Sequence, residues 1–182
     1  GDIVAFASGD PLFFGFANTV RRKCPDAEII LYPSFNSLQM LAHRLVMPYH
    51  DMRCVSLTGR PWGGLDQAVI SGERLIGVLT DKTKTPSAIA RRLLDYGYDN
   101  YRVAVGENLG NRKKEQVSMM SLLEAAEMDF SMPNCVLLER VSVRKRPFGI
   151  PESEFELLDG RAKMITKMPV RLLSLSMLGL RD

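Results

Sequence analysis

Short apolar runs alternate along the chain with stretches whose apolar residues recur at helical spacing. Apolar runs bounded by turn-forming residues predict buried strands, and we expect them at residues 3–6, 27–34, 53–60, 74–81, 101–108 and 134–141. The stretches between them predict helices at residues 12–23, 36–47, 64–72, 85–97 and 121–128. Alternation of this kind is typical of an α/β fold.

Two connections carry clear local signals. In "TPSAIARRLLDYG", Thr85 is predicted to cap a helix that has Pro86 at its first position and ends at Gly97. In "FASGDPLFFGF", Asp10 is predicted to cap the helix that follows the first strand. Loops at the carboxyl ends of strands in open α/β sheets are favoured ligand sites. An ordinary capped connection explains the local pattern of "FASGDPLFFGF" equally well.

The chain changes character at two places. The stretch "MPYHD" interrupts the pattern near residue 50, and a basic, then Pro- and Gly-bearing, then acidic stretch begins at Arg144. We therefore expect three parts, at residues 1–50, 51–143 and 144–182. The last part should contain a helix, because apolar residues recur at helical spacing in it. These residues are Val170, Leu173, Met177 and Leu180.

Composition narrows the classes of partner. The 182 residues are 46% hydrophobic, with a net charge of +3 that is too small to indicate a nucleic-acid partner. The cysteines Cys24, Cys54 and Cys135 form no C-x-x-C pair, which favours the reducing cytoplasm. With only His43 and His50, the chain offers little material for a metal site, and we expect none. No apolar run reaches the roughly 20 residues that span a bilayer, so no membrane partner is expected.

Four loops, taken together and in order, resemble those of the tetrapyrrole methylases. They are "ASGDPLFFG", "YPSFNSLQ", "LTDKTKTPSAIARRL" and "GENLGNRKKEQV". More narrowly, they resemble the precorrin-6Y C5-methyltransferase family of cobalamin biosynthesis, over about residues 2–143. The stretch from "GIPESEF" to "SMLGLRD" resembles the opening of the decarboxylating C15-methylase domain that many bacteria fuse behind the C5 enzyme.

The resemblance implies an α/β methylase of two lobes that binds S-adenosylmethionine (SAM) in the cleft between them and forms a homodimer. The family's first glycine-bearing strand and loop are absent, so residues 1–50 are expected to be the back half of a truncated N-terminal lobe. This departure counts against activity of the chain on its own. The C15 site would lie beyond Asp182, so no C15 methylation or decarboxylation is expected from these residues.

The resemblance also assigns a SAM site. The matching positions are Ser8, Gly9, Asp10, Phe13, Asn36, Ser37, Thr80, Glu107, Asn108 and Leu109. Residues 8–10 would hold the methionine end of SAM, whereas residues 80 and 107–109 would hold adenine and ribose, largely through backbone groups. Helix capping explains Asn36 and Ser37 as well as cofactor binding does, and Asp10 would either cap a helix or pair with the cofactor's ammonium group.

The implied substrate is a precorrin, an anionic tetrapyrrole that carries many carboxylates. Arg60, in the glycine-rich loop "LTGRPWGG", is the preferred carboxylate ligand, with Trp62 against the macrocycle. The basic run at 112–114 is a second candidate, although charge runs are usually solvated. No residue identifies itself as a catalytic acid or base, because the reaction mainly requires alignment of an activated methyl group with a carbon nucleophile.

Two other functions fit the same residues. Methylases of this fold also act on ribosomal RNA or on a protein, although no basic stripe interleaved with aromatic residues indicates RNA here. A non-catalytic dimerisation or binding fragment is the second alternative, and a SAM titration distinguishes it from an enzyme. A dinucleotide-dependent oxidoreductase fits poorly because the chain lacks a G-x-G-x-x-G motif with a following acidic residue.

Overall fold

A computed structural model describes residues 3–144, 149–155 and 165–179. The chain divides into two compact units, Gly1–Val143 and Arg144–Asp182. The first unit carries the sheet and all of the candidate site residues. The boundary that the sequence suggests near residue 50 stays a prediction.

One mixed sheet organises the described part of the first unit. Its strands are β1 (Arg53–Ser56), β2 (Leu75–Leu79), β3 (Tyr101–Glu107), β4 (Gln116–Ser121) and β5 (Asn134–Arg140). Their order across the sheet is β1-β2-β5-β3-β4. The β1–β2 pair is parallel, whereas β2–β5, β5–β3 and β3–β4 are antiparallel. The last strand in the sequence therefore lies in the middle of the sheet.

The helix α1 (Phe16–Lys23) comes first in the chain and buries Ala17. Helices cover both faces of the sheet, with α2 (Ser37–Arg44) on one face and α3 (Gly63–Ser71), α4 (Pro86–Asp95) and α5 (Leu122–Glu127) on the other. Thr85 caps α4 and Pro86 opens it, as predicted. Asn36 caps α2 by accepting a hydrogen bond from the Gln39 backbone N–H, while the Gln39 side chain accepts one from the Asn36 N–H. This reciprocal pair fixes where α2 begins.

Alternating side chains of the strands pack into two buried clusters. On β2, Leu75 faces α2, whereas Ile76 and Val78 face the layer of α3, α4 and α5. Gly77 presents no side chain to α2, and a β carbon there would lie 2.7 Å from Leu38 Cδ1. Burial on both faces explains why the strands read as continuous apolar runs. The predicted α/β class is thus the observed one.

Two predicted strands are wrong. Residues 3–6 and 27–34 are irregular, and Ile3, Phe6 and Tyr32 are 93%, 99% and 84% exposed. Apolar β-branched residues favour a strand only where a neighbouring strand completes the hydrogen bonds. No strand of the described residues pairs with either segment.

The structure differs from the prediction in two further ways, in where the first helix begins and in having the strand β4. The first helix begins at Phe16 rather than residue 12, because residues 10–15 form a tight turn. The strand β4 is absent from the predicted strands: it lies at the sheet edge, pairs only with β3, and is half-exposed, so its sequence lacks a buried apolar run.

The described residues of the second unit form a short 3-10 turn, Glu152–Glu154, and the helix α6 (Met168–Met177). The Arg171 guanidinium lies 4.7 Å from the centre of the Phe155 ring. The predicted helix is therefore present, although Leu180 lies outside the described residues. Among the residues that the structure describes, no helix has the length and apolarity needed to cross a membrane.

Candidate active site

The carboxyl ends of β1, β2 and β3 meet the start of β5 where the strands end on one side, and this end of the sheet is here called the site edge. Hydrogen bonds join the loops there. The Thr58 hydroxyl donates to the Thr80 carbonyl oxygen at 3.0 Å, and the Thr80 hydroxyl lies 2.7 Å from both the carbonyl oxygen and Oδ1 of Asn134. Thr80 is buried. The ends of β1, β2 and β5 therefore form one connected framework.

The end of β3 joins the same framework. The Ser131 backbone N–H donates to the buried Glu107 carboxylate, and the Asn108 N–H donates to the Pro133 carbonyl oxygen at 2.8 Å. Asn108 has a φ of +49°, a left-handed conformation that asparagine tolerates better than most residues. The structure thus brings together Thr80 and the three residues 107–109 at one edge, as their predicted role requires.

Loop 8–10 lies beside the start of α2, and the start of α2 in turn contacts β5 at the site edge. A β carbon at Gly9, whose φ is +70°, would lie 3.5 Å from the Phe35 carbonyl oxygen, so loop 8–10 lies beside the start of α2. The Cys135 thiol donates a weak hydrogen bond to the Ser37 carbonyl oxygen at 3.6 Å. Cys135 is the second residue of β5 and lies directly opposite Gly106. Loop 8–10 and the start of α2 therefore lie near the same end of the strands as residues 107–109.

Asp10 shapes a turn instead of capping a helix. Its carboxylate accepts from the Leu12 N–H at 2.9 Å, and its carbonyl oxygen accepts from the Phe13 N–H at 3.2 Å. The turn closes on Gly15, where a β carbon would lie 2.5 Å from the Pro11 carbonyl oxygen. Gly15, rather than Asp10, is the N-cap of α1. The predicted capping role of Asp10 is therefore wrong.

Beside this turn lies an open cleft of about 520 Å³. Its lining comes from the 12–15 turn, from α1, from β1 and from the loop after β1: Leu12, Phe13, Phe14, Gly15, Asn18, Thr19, Arg22, Cys54 and Arg60. The Arg60 guanidinium stacks 5.0 Å above the Phe14 ring, and Phe14 meets the Phe13 ring edge-on at 5.0 Å. Phe13 in turn packs against the α2 face of the core.

Comparison with known proteins identifies this arrangement. A family model, "Tetrapyrrole (Corrin/Porphyrin) Methylases", matches residues 1–126. The chain belongs to the tetrapyrrole methylase family. The resemblance of its loops to that family is thereby confirmed.

Two relatives illustrate the match. A precorrin-6Y C(5,15)-methyltransferase [decarboxylating] of Sinorhizobium sp is 28% identical over 98% of this chain and 43% of its own length. A cobalt-precorrin-7 C(5)-methyltransferase of Salmonella typhimurium is 27% identical over 75% of this chain and 66% of its own. The chain thus spans less than two thirds of either relative.

A solved structure shares the fold. Uroporphyrin-III C-methyl transferase from Thermus thermophilus, complexed with S-adenosyl homocysteine, superposes with a TM-score of 0.53. It is 23% identical, and the match covers 73% of this chain and 60% of that one.

Within this tetrapyrrole methylase domain, the two predicted substrate residues, Arg60 and Trp62, lie in different surroundings. Arg60 lines the cleft, whereas Trp62 does not. The Trp62 ring packs against the core face of α3, α4 and α5, with the Arg92 guanidinium 4.9 Å and the Lys84 ammonium 6.0 Å from its centre. Trp62 therefore takes no part in the cleft.

Asp81 holds the loop that carries Arg60. Its carboxylate accepts from the Thr83 and Lys84 backbone N–H groups at 2.9 and 2.7 Å, and from the Gly59 N–H at 3.3 Å. These hydrogen bonds lower the pKa of Asp81, with the one from Lys84 contributing most. An anionic Asp81 thus anchors the loop after β1 to the loop after β2.

The sequence alone did not point to three residues of these sites, Asn134, Ser131 and Arg22. The stretch "MPNC", where β5 begins, signals a turn, but nothing in it shows that Thr80 is the partner of Asn134. In the described residues, no group of three or more His, Cys, Asp or Glu side chains is placed to hold a metal ion.

Proposed function

We propose that this chain is the C5-methylating part of a SAM-dependent methyltransferase that acts on a precorrin, either precorrin-6Y or its cobalt form. The observation that carries the proposal is the convergence of loop 8–10, the start of α2, Thr80 and residues 107–109 at one edge of the sheet. Family membership supports SAM as the cofactor.

The residues at the site edge fit such a cofactor. The side chains of Asn36, Thr80 and Glu107 are bonded to protein partners, so a ligand there meets backbone groups, which is how adenine and ribose are expected to be held. Gly9 adds no side chain beside Phe35, which leaves room for the methionine end. Half-buried Leu109 and Phe13 supply apolar surface.

SAM, when bound, supplies a methyl group already activated by its sulfonium. The chain's own task is to hold cofactor and substrate in line and to keep water out. Fixed loops serve this task better than mobile ones, and the hydrogen bonds of Thr80, Asn134 and Glu107 fix three of them. Arg60, on its anchored loop, is proposed to bind a carboxylate of the macrocycle.

Assembly and compartment are part of the proposal. We expect a homodimer, as in the family that the loops resemble, and a cytoplasmic protein. All three cysteines are free, which supports a reducing compartment. Sedimentation of the protein as encoded in its organism tests the dimer.

The cofactor site is tested by calorimetry with S-adenosyl homocysteine on the protein as encoded. Gly9→Val should weaken binding at least about tenfold, because the side chain enters the cofactor's space and strains a left-handed backbone. Gly72→Val is the matched control: Gly72 also has a φ of +70°, but it ends α3 at the opposite edge of the sheet. Equal affinity in both variants would contradict the site.

The substrate is tested by incubation with precorrin-6Y and SAM, followed by mass spectrometry. A single added methyl group at C5 supports the proposal. Binding of S-adenosyl homocysteine without methylation of any precorrin would favour a methylase for RNA or protein. Absence of cofactor binding in the wild-type protein would favour a non-catalytic module.

A further inference from the structure

Arg22 and Arg60 line the same cleft from different elements. Arg22 lies in the last turn of α1, and Arg60 follows β1. Both side chains are exposed. Arg22 lies 38 residues from Arg60 along the chain, so only the fold brings two positive charges to one concave surface.

No carboxylate in the described part of the chain pairs with either guanidinium. Other arginines pair with carboxylates, as in Arg44–Glu115, Arg92–Asp66 and Arg102–Glu139. Across the described ranges, neither Arg22 nor Arg60 forms such an ion pair. A guanidinium offers several N–H donors in a planar fork that matches a carboxylate. The two arginines are therefore available to an anionic ligand.

Aromatic rings line the same cleft as these two charges. Phe14 has a φ of +51°, a conformation that bulky residues rarely adopt. In this conformation its ring lies under Arg60 and against Phe13. Apolar faces with cations at the margin suit a flat, apolar ring system whose edge carries carboxylates.

We propose that Arg22 and Arg60 together bind two carboxylates of the tetrapyrrole substrate, with its ring against Phe13 and Phe14. The proposal rests on the proposed function for the kind of substrate. It adds Arg22 as a substrate-binding residue and assigns the cleft beside α1 as the place where the macrocycle's edge lies.

Neighbouring Arg21 provides a matched control. It occupies the same last turn of α1, with the same charge and the same favourable interaction with the helix C-terminus, but it lines a different cleft with Cys24 and Leu31. Loss of either arginine should affect α1 alike, so a difference between them reports the ligand.

The experiment titrates the protein as encoded with uroporphyrin, a fluorescent tetrapyrrole with carboxylates on every pyrrole ring. Arg22→Gln should weaken binding about threefold to tenfold, whereas Arg21→Gln should leave it unchanged. Arg22→Lys should recover part of the loss, because it keeps the charge without the fork. Protoporphyrin, which has fewer carboxylates, should show a smaller difference.

The same variants are titrated with S-adenosyl homocysteine, whose affinity should not change. Equal porphyrin affinity in Arg22→Gln and Arg21→Gln, or no porphyrin binding by the wild type, overturns the arginine pair. Failure of the wild type to bind S-adenosyl homocysteine overturns the proposed function instead. Porphyrin affinity still decides the arginine pair in that case.

Discussion

The Thr80 hydroxyl lies 2.7 Å from two oxygens of Asn134, its carbonyl oxygen and its Oδ1. This contact joins the end of β2 to the start of β5 across 54 residues of sequence. The Thr80 carbonyl oxygen accepts from Thr58 at the same time. One buried threonine therefore connects three strand ends at the site edge.

Thr80→Val keeps the shape of the side chain and removes the donor. It should lower the free energy of unfolding by about 1–2 kcal/mol, because oxygens of Asn134 lose their partner. Thr80→Ser keeps the hydroxyl and should lose less. Urea denaturation of the three proteins measures the difference, and equal losses in Val and Ser would show that the methyl group, not the hydroxyl, matters.

Gly15→Ala should disturb the 10–15 turn. The new β carbon would lie 2.5 Å from the Pro11 carbonyl oxygen and 2.8 Å from that of Asp10, both backbone atoms that cannot rotate away. We expect a loss of about 1–3 kcal/mol, measured by thermal or urea unfolding.

Gly63→Ala is the control for that substitution. Gly63 is the first residue of α3, and a β carbon there meets nothing within 4 Å. Alanine should be neutral or stabilising by up to about 1 kcal/mol, since it restricts the unfolded chain. A loss as large as that of Gly15→Ala would mean that contacts do not explain the Gly15 result.

The free energy of unfolding should fall in acid because the pKa of Asp51 is lower in the folded state than in the unfolded state. Arg74 donates hydrogen bonds to both oxygens of Asp51, which lowers the pKa of Asp51 from 3.8 to about 2. Above pH 3.8 the carboxylate is ionised in both states and the stabilisation is complete. Between pH 3.8 and 2 only the unfolded state takes up the proton, so this contribution is lost as the pH falls.

The measurement compares wild type with Asp51→Asn by urea unfolding from pH 5 to pH 2. The stability difference should shrink as the pH approaches 2, and Arg74→Gln should give the same shape. A difference that stays constant over this range would show that the ion pair does not form in solution.

The cysteines should differ in reactivity toward a thiol reagent at mildly alkaline pH. Cys24 is exposed, Cys54 is half-buried and Cys135 is buried. Burial raises the pKa of the Cys135 thiol from 9.0 to about 12, which keeps it protonated and unreactive. We expect Cys24 to react first and Cys135 only on unfolding, and rapid labelling of Cys135 in the native protein would contradict its placement in β5.

How far the sequence predicted the fold depended on burial. β2, β3 and β5 are apolar on both faces, so their runs stand out, and Thr85 and Gly97 mark the ends of α4 by local chemistry alone. Residues 3–6 look like a strand by the same criterion, but no strand in the described part of the chain pairs with them. Pairing depends on distant residues, which a local pattern does not report. The converse holds for β4, which is a paired strand at the edge of the sheet but is half-exposed and so has no apolar run that would predict it.

For the candidate site, the sequence indicated which loops meet but not the contacts between them. The family resemblance pointed to Gly9, Thr80 and residues 107–109, which the structure brings to one edge. The partners of those residues, Asn134 and Ser131, follow from the antiparallel insertion of β5, which no motif announces. Trp62 was predicted to bind substrate because it is close to Arg60 in the sequence, but its ring packs against the core.

The position of β5 also governs how the molecule assembles. Because β2 and β3 bond to β5 and not to each other, a growing chain that has not yet reached Asn134 can form only two separate strand pairs of this sheet, β1–β2 and β3–β4. The sheet closes only when its final strand inserts between them, through contacts that span much of the domain. Such non-local closure slows folding. Until then both inner edges stay open, and nascent chains are most exposed to aberrant strand pairing just before synthesis of the domain is complete.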